Sequence, residues 1–558
     1  MIKIMKKRIL ILTLFFVAGT FYSCTDLSET VRDTALGEEV LNEPGAVEQI
    51  LAPAYAGMRS LMSSHNWLNN LQSMSSYEQI TPYRGGTDWF DGGRFIEMHQ
   101  HTWAPTHVSV IDVWRGVTQG VARAAIAERS IADLGGSAQL IAEARGLKAL
   151  YNAWALDMWD VAFDKKAEDI GTDALSTVYR GEAAVDYLMS ELDAVENQLG
   201  TVGSVGETRF NRSAVKGLKL RLLINKAVYA DRYAANFSHN NADLQAAITL
   251  ATEIINSGEH DLERENYFNM FDLNNEGNRE FLFAHRQSAA SGGRGDMAWF
   301  QTSRNRWRAP IESFGGNNGS DGAAMTQEFA DIWIGFEDDP RYFTRYIPDG
   351  GTLANDADFN WNRGLQKGQQ YGLIREAGRY LRDENGHLII GPIIDLARSG
   401  DPLNYTREVG VVTDNQHWAG FRVIKWDLDP TTNGRGQSNI NMAWMRLGEV
   451  YLIRAEANAR LGNWGAALAD VNAIREARGA RLLDAGELTT LSHVQREWRM
   501  ELYHEHLTRT WEIRFGAWEN TWRDKSGTDV NRRLFPIPQN AIDAAGANPG
   551  YLEQNRGY

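Results

Sequence analysis

The chain has 558 residues, 43% of them hydrophobic, one cysteine and a formal charge of −15. It is long enough for more than one simple domain and apolar enough for large cores, which excludes a disordered chain. A surface this acidic repels nucleic acid and anionic headgroups, and one cysteine allows no internal disulfide.

Lys3, Lys6, Lys7 and Arg8 form a basic start, Ile9 to Phe21 an apolar run of 13 residues, and Phe21-Tyr22-Ser23-Cys24 a cleavage site of lipobox type, with Phe21 where leucine is usual. A helix that crosses a bilayer needs about 20 apolar residues, so 1–23 reads as a signal peptide and Cys24 as the lipidated first residue of the mature chain. Loss of the four basic leader residues deepens the charge to −19, so membrane attachment must rest on the lipid. The polar stretch Thr25 to Glu29 opens a tether over 24–44.

Helical periodicity follows over 45–62, 108–160, 182–200, 212–235, 243–257, 444–479 and 493–515. Leu447, Tyr451, Ala455 and Ala459 recur every fourth residue, Leu461-Gly462-Asn463-Trp464 makes a turn, and Ala466, Ala467, Leu468, Val471 and Ile474 form a second apolar face. That is a helical hairpin of tetratricopeptide type. Leu244, Ala247, Ala251 and Ile254 close another such unit, and stacked units would build a scaffold. Ser492 to Gln495 reads as a capping box, from which Val494, Trp498, Leu502, Leu507, Trp511 and Phe515 run along one side of a helix, Trp498 and Trp511 as core knobs.

A second texture fills 63–107 and 260–443. It is rich in glycine, asparagine, aspartate and rings, with short strands at Glu280 to His285, His387 to Ile394 and Phe421 to Trp426. Long irregular segments on a scaffold are where binding surfaces are built. The resulting division is an N-terminal helical part, 45–259, with a loop insert at 63–107; an irregular ligand-binding subdomain, 260–443; and a C-terminal helical part, 444–558.

Few residues suggest catalysis. His99 and His101 would share a strand face, with His107 following, but no HExxH accompanies them and they read as loop histidines, so no metal is assigned. His504 and His506 would point about 200° apart on a helix and cannot chelate together. Asp356, Asp358, Asn360 and Asn362 repeat the oxygen spacing of a calcium loop, yet Trp361 takes the glycine position and Lys367 that of the bidentate glutamate. Asp427 and Asp429 would lie on one face of an extended segment, a pair that a surface glycoside hydrolase could use, but 72 acidic residues make such pairs common. No nucleophile elbow and no phosphate-gripping glycine loop occurs, so neither a catalytic residue nor a cofactor is assigned.

What remains is the run Tyr83 to Gly93, where rings, carboxylates and a guanidinium alternate with glycines. Trp89 could stack on the apolar face of a sugar while Asp88 or Arg84 bonds its hydroxyls; the alternative is that the rings pin loops to the scaffold. Trp299 to Arg308, with Trp299 and Trp307, is a second such stretch, and Trp103 is the ring expected to be buried.

Several stretches together carry a resemblance: Asp88 to Gly93, His101-Thr102-Trp103, Phe210 to Gly217, Ile254 to Gly258, Tyr451 to Ala457, Asp470 to Arg475 and Arg533 to Asn540, with the ending Gln554-Asn555-Arg556-Gly557-Tyr558. Over essentially its whole length the chain resembles the SusD/RagB family of outer-membrane nutrient-binding lipoproteins of Bacteroidetes. Arg556 replaces the proline of the family's ending, and Trp159 to Asp164 replaces a glycine- and proline-rich turn. The resemblance implies an all-α fold, a scaffold of four tetratricopeptide-like hairpins bearing a loop-rich ligand-binding subdomain. It also implies a non-catalytic protein lipid-anchored in the outer membrane and facing outward. The implied partner is a SusC-like TonB-dependent transporter, and the implied ligand an oligosaccharide, with a peptide as the alternative. Asp88 and Trp89 are the implied ligand contacts, followed by Trp299 and Trp307.

Overall fold

The computed structural model describes residues 45–85, 88–301, 320, 322–355, 359–360, 362–376, 379–394, 400–412, 415–429, 431–432 and 437–558. Cys24, the leader, the whole of the tether over 24–44, Asp356, Asp358, Trp361 and Trp307 lie outside the described residues. The four-residue helix Ala46–Gln49 belongs to a unit that ends at Gln49, and residues 50–558 form a second unit.

Paired helices make the scaffold of the second unit. Val108–Asp133 packs on Ala138–Trp159, Gly181–Glu196 on Arg212–Ala230, and Leu447–Arg460 on Trp464–Ala477. Polar caps set several starts: the side chains of Ser137, Asn211 and Asn240 accept from the backbone N–H groups of Leu140, Ala214 and Ala242. Small residues bring the axes close. A Cβ on Gly120 would stand 2.2 Å from the Tyr151 ring, and one on Gly146 2.2 Å from Phe210, so neither site tolerates alanine without repacking.

The hairpin read around Gly462 is present. Gly462 takes the left-handed conformation, φ 82°, that its turn requires. Ala455, Ala459, Ala467, Val471 and Ile474 are buried, whereas Ala466 faces solvent.

The chain leaves the scaffold after Asn241–Ile255 and returns to it at Leu447–Arg460, and these two helices pack together. The irregular segment between them is therefore an insertion between neighbours. Its ends are clasped by antiparallel pairing of Phe281–His285 with Met442–Arg446. Among the described residues no sheet exceeds three strands, and the expected strands appear as Phe281–His285, Leu388–Pro392 and Arg422–Ile424.

A buried charge network joins insertion to scaffold. Glu501 accepts from Arg446 at 2.5 Å, Arg478 at 2.7 Å and Arg341 at 3.1 Å, and Glu280 accepts from Arg446 at 2.8 Å and Arg478 at 2.7 Å. The three guanidinium groups hold the Glu501 carboxyl well below the usual glutamate range against the opposing effect of burial.

Two expectations need correction. The helix read over 493–515 is two helices, Leu491–Leu502 and Thr508–Phe515, and its cap is Thr490, which accepts from His493 N–H. Between them His504 and His506 take left-handed conformations, φ 58° and 61°. The Lys425 ammonium donates to the carbonyls of Glu501 and Tyr503, and Trp426 Nε1 donates to that of His504 at 3.1 Å, so the insertion satisfies carbonyls that a continuous helix would have bonded itself. Trp498 and Trp511 remain core residues.

The second correction concerns 63–107, read as wholly irregular, which contains the helix Arg94–Gln100. His99 lies on it and His101 ends it with φ 58°, so they share no strand face. His99 Nε2 pairs with Arg523 O at 2.6 Å and His101 Nε2 with Ser75 O at 2.6 Å, while His107 accepts Ser109 N–H at the start of the next helix.

Candidate functional site

Backbone hydrogen bonds tie Arg84 and Gly85 to Asp88. Arg84 N–H bonds Asp88 O at 3.1 Å and Asp88 N–H bonds Gly85 O at 3.0 Å, across a left-handed Gly85 of φ 88°. Tyr83 and Arg84 dock on 415–419: Asn415 N–H donates to Tyr83 O at 2.9 Å, and Arg84 Nη1 donates to the carbonyls of Gln416, His417 and Ala419 at 2.8, 3.4 and 3.2 Å. With 1% of its surface exposed, Arg84 is a buried fastener, not the surface group that the sequence reading offered to a sugar. Asp88 stays 27% exposed at the rim, its carboxylate 3.8 Å from His417 Nε2.

Trp89 is half-buried and has φ 59°, a conformation unusual for a bulky residue that persists only where its surroundings hold it. Four rings do so: Phe300 at 5.1 Å between centres, and His65, Phe95 and Trp299 at 6.0 Å each. Trp89 Nε1 donates to Ser320 O at 3.1 Å. Trp299, on the helix Asp296–Gln301, is buried at 7% exposure, so the sequence reading that gave it to a ligand is corrected to a ring packed behind Trp89. Beside it, Asp296 bonds Arg294 at 3.0 Å and lies 3.7 Å from His65 Nδ1.

The turn at Trp89 sends the next ring outward. Phe90 is 45% exposed and meets the half-buried Tyr83 edge-on at 5.9 Å and 71°. The structure thus brings Tyr83, Asp88, Trp89 and Phe90 to one surface over a packed aromatic base. Sequence reasoning singled out Trp89 and passed over Phe90, although its neighbours Asp91-Gly92-Gly93, all at positive φ, marked a place where the chain reverses.

The other chemical candidates are engaged elsewhere. Asp429 accepts from Thr431 N–H and hydroxyl at 2.8 and 2.6 Å and from Asn439 N–H and Nδ2 at 2.6 and 2.8 Å. Burial pushes the Asp427 carboxyl up to about 7, near Arg363 and Asp272. Asn362 accepts from Tyr346 and Ile347 N–H groups, which makes it a loop anchor. Burial pushes His99 and His107 down to about 4, and among the described residues no group of three or more histidine, aspartate or glutamate side chains could hold a metal ion.

A family model described as the SusD family matches residues 280–558. Comparison with curated proteins gives no match. Similar solved structures include a SusD-like protein from Bacteroides fragilis, 18% identical, TM-score 0.64, covering 93% of this chain and 98% of that one. Another is a SusD superfamily protein from Parabacteroides distasonis, 14% identical, TM-score 0.65, covering 92% and 99%. A third is surface glycan-binding protein A from Bacteroides thetaiotaomicron in complex with laminarihexaose, 16% identical, TM-score 0.60, covering 92% and 99%. At these identities the likeness is one of fold.

Proposed function

The chain belongs to the SusD family, and from that membership we propose that it captures oligosaccharides at the cell surface and passes them to a SusC-like TonB-dependent transporter in the outer membrane. The protein acts by binding, without catalysis, and Cys24 carries the lipid that holds it there. A relative of the same fold is a surface glycan-binding protein with a bound laminarihexaose, which supports a sugar as the ligand class.

The observation that carries the reading is the ring surface at Tyr83, Trp89 and Phe90, with the Asp88 carboxylate at its rim. A pyranose offers apolar C–H faces to rings and hydroxyls to carboxylates, and a base already packed on four rings loses little freedom on binding. Trp307, which lies outside the described residues, is a further proposed ligand contact.

Calorimetric titration of the full chain in detergent against maltohexaose, cellohexaose, laminarihexaose and a set of short peptides tests this. Binding of at least one oligosaccharide, with the sugar recovered at its original length, is the expected result. Clear binding of a peptide with no sugar binding would move the protein to the peptide-binding alternative. Shortened sugar would make it a hydrolase.

A further inference from the structure

A second cleft, of about 260 Å³, opens in the insertion where the segment 363–373 passes through three small sheets in succession. Arg363–Gln366 pairs with Arg422–Ile424 and with Phe343–Thr344, Gly368–Gln369 with Asn404–Tyr405, and Tyr371–Leu373 with Leu388–Pro392. Gly364 and Gly368, φ 83° and 66°, make the reversals; a Cβ on Gly364 would stand 2.2 Å from Tyr342 O. The wall of the cleft is therefore fixed backbone.

Its amides are fixed too. Gln370 Nε2 donates to Lys367 O at 3.1 Å and Gly368 O at 2.9 Å, and Gln369 Nε2 donates to Gln370 O at 2.8 Å and Ile393 O at 3.0 Å. Since all four partners are carbonyl oxygens, the bonded atoms must be the NH2 groups, which sets each amide's orientation. The two Oε1 atoms accept no hydrogen bond among the described residues and are not sealed from the cleft that their side chains line. Each is an immobilised acceptor. Around them stand Tyr342, Phe343 and Tyr371, the latter two half-exposed. Charge on the lining balances: Arg345 pairs with Asp349 at 2.5 Å, while Lys367 lies 5.2 Å from the Tyr342 ring centre and Glu337 accepts Gly335 N–H.

We propose that this cleft is a separate subsite for a short neutral sugar. Oriented acceptors match hydroxyl donors, the rings match a pyranose face, and a lining of balanced charge gives no net attraction to a uronate or sulfate. A volume below the roughly 300–1,000 Å³ of drug-sized sites suits a mono- or disaccharide and not a long chain. The inference goes beyond the ring surface at 83–90 and does not rest on it.

The test is titration of the full chain with maltose, cellobiose, laminaribiose and lactose, with glucuronate and triglycine as controls, repeated on Tyr371→Ala, Gln370→Leu, Phe90→Ala and the remote control Glu487→Gln. At least one neutral disaccharide should bind, tenfold or more weakly to Tyr371→Ala and Gln370→Leu and equally well to Glu487→Gln, a change at an exposed pair outside both sites. Gln370→Leu strips two carbonyls of their donor and could unfold the wall, so Tyr371→Ala, which leaves the amides in place, decides. Absence of disaccharide binding, binding untouched by Tyr371→Ala, or binding of glucuronate or triglycine alone would each overturn the proposal. Weakening by Phe90→Ala with Tyr371→Ala unchanged would return the sugar to the first site and remove the second.

Discussion

Trp89 and Phe90 are adjacent rings with opposite duties, and a single dihedral separates them. The left-handed turn at Trp89 puts its indole among four rings and leaves Phe90 in solvent. Phe90→Ala is therefore expected to weaken oligosaccharide binding about tenfold, or ~1.4 kcal/mol, with an unchanged melting temperature. Trp89→Ala should cost about 2 kcal/mol of stability as well, less than the 3–5 usual for a fully buried tryptophan because the strained turn relaxes. Paired titration and thermal melts check both. This division was not legible in the sequence, where both rings read as loop aromatics; what decides it is a backbone conformation that glycine-rich neighbours permit and distant rings enforce. Arg84 was hidden in the same way, because its three carbonyl partners lie more than 300 positions along the chain.

Buried histidines give a pH signature at the same scale. Burial pushes His99, His107 and His506 down to about 4, from an ordinary value near 6.5. Below pH 6.5 the unfolded chain takes up protons that the folded one refuses, so stability falls with falling pH, by up to ~1.4 kcal/mol per pH unit for each histidine, until about pH 4. Below the usual glutamate range Glu501 and Glu505, whose carboxyls are held low by their cationic partners, are protonated in the unfolded chain first, and their contribution is lost in turn. Denaturant melts between pH 8 and 4 should show the decline beginning near 6.5; a flat profile down to pH 5 would contradict the burial of these rings.

Among the elements, the hairpin around Gly462 was readable because its signal is local: i+4 spacing, a glycine at the turn, alanines at the contact. The break between Leu502 and Thr508 was not, because Lys425 and Trp426 cause it from outside the helix. Nor was the charge network, whose members are ordinary arginines and glutamates until folding collects them. Glu501→Gln leaves three buried guanidinium groups short of charge and is expected to cost about 3–5 kcal/mol in denaturant unfolding. Glu487→Gln, which breaks the exposed pair with Arg481, should cost less than ~1 kcal/mol. Equal costs would mean that the network does not hold insertion and scaffold together.

For the whole molecule, the insertion of 256–446 between two neighbouring helices explains how a repeat scaffold carries a long irregular region without losing its core. The scaffold supplies the rigid base on which residues near Trp89 and the helix Asp296–Gln301 meet, although more than 200 positions of sequence separate them. Capture and delivery then require the transporter, so mild detergent extraction with affinity capture should co-purify an outer-membrane barrel; recovery of the lipoprotein alone under several detergents would count against that partner. The most direct measurement is hydrogen–deuterium exchange on the full chain with and without the oligosaccharide that binds it best. Slowed exchange in 83–91 and in 296–301, with the sugar left intact, is the expected result; unchanged exchange there at saturating sugar would place the ligand elsewhere and contradict the assignment of this surface.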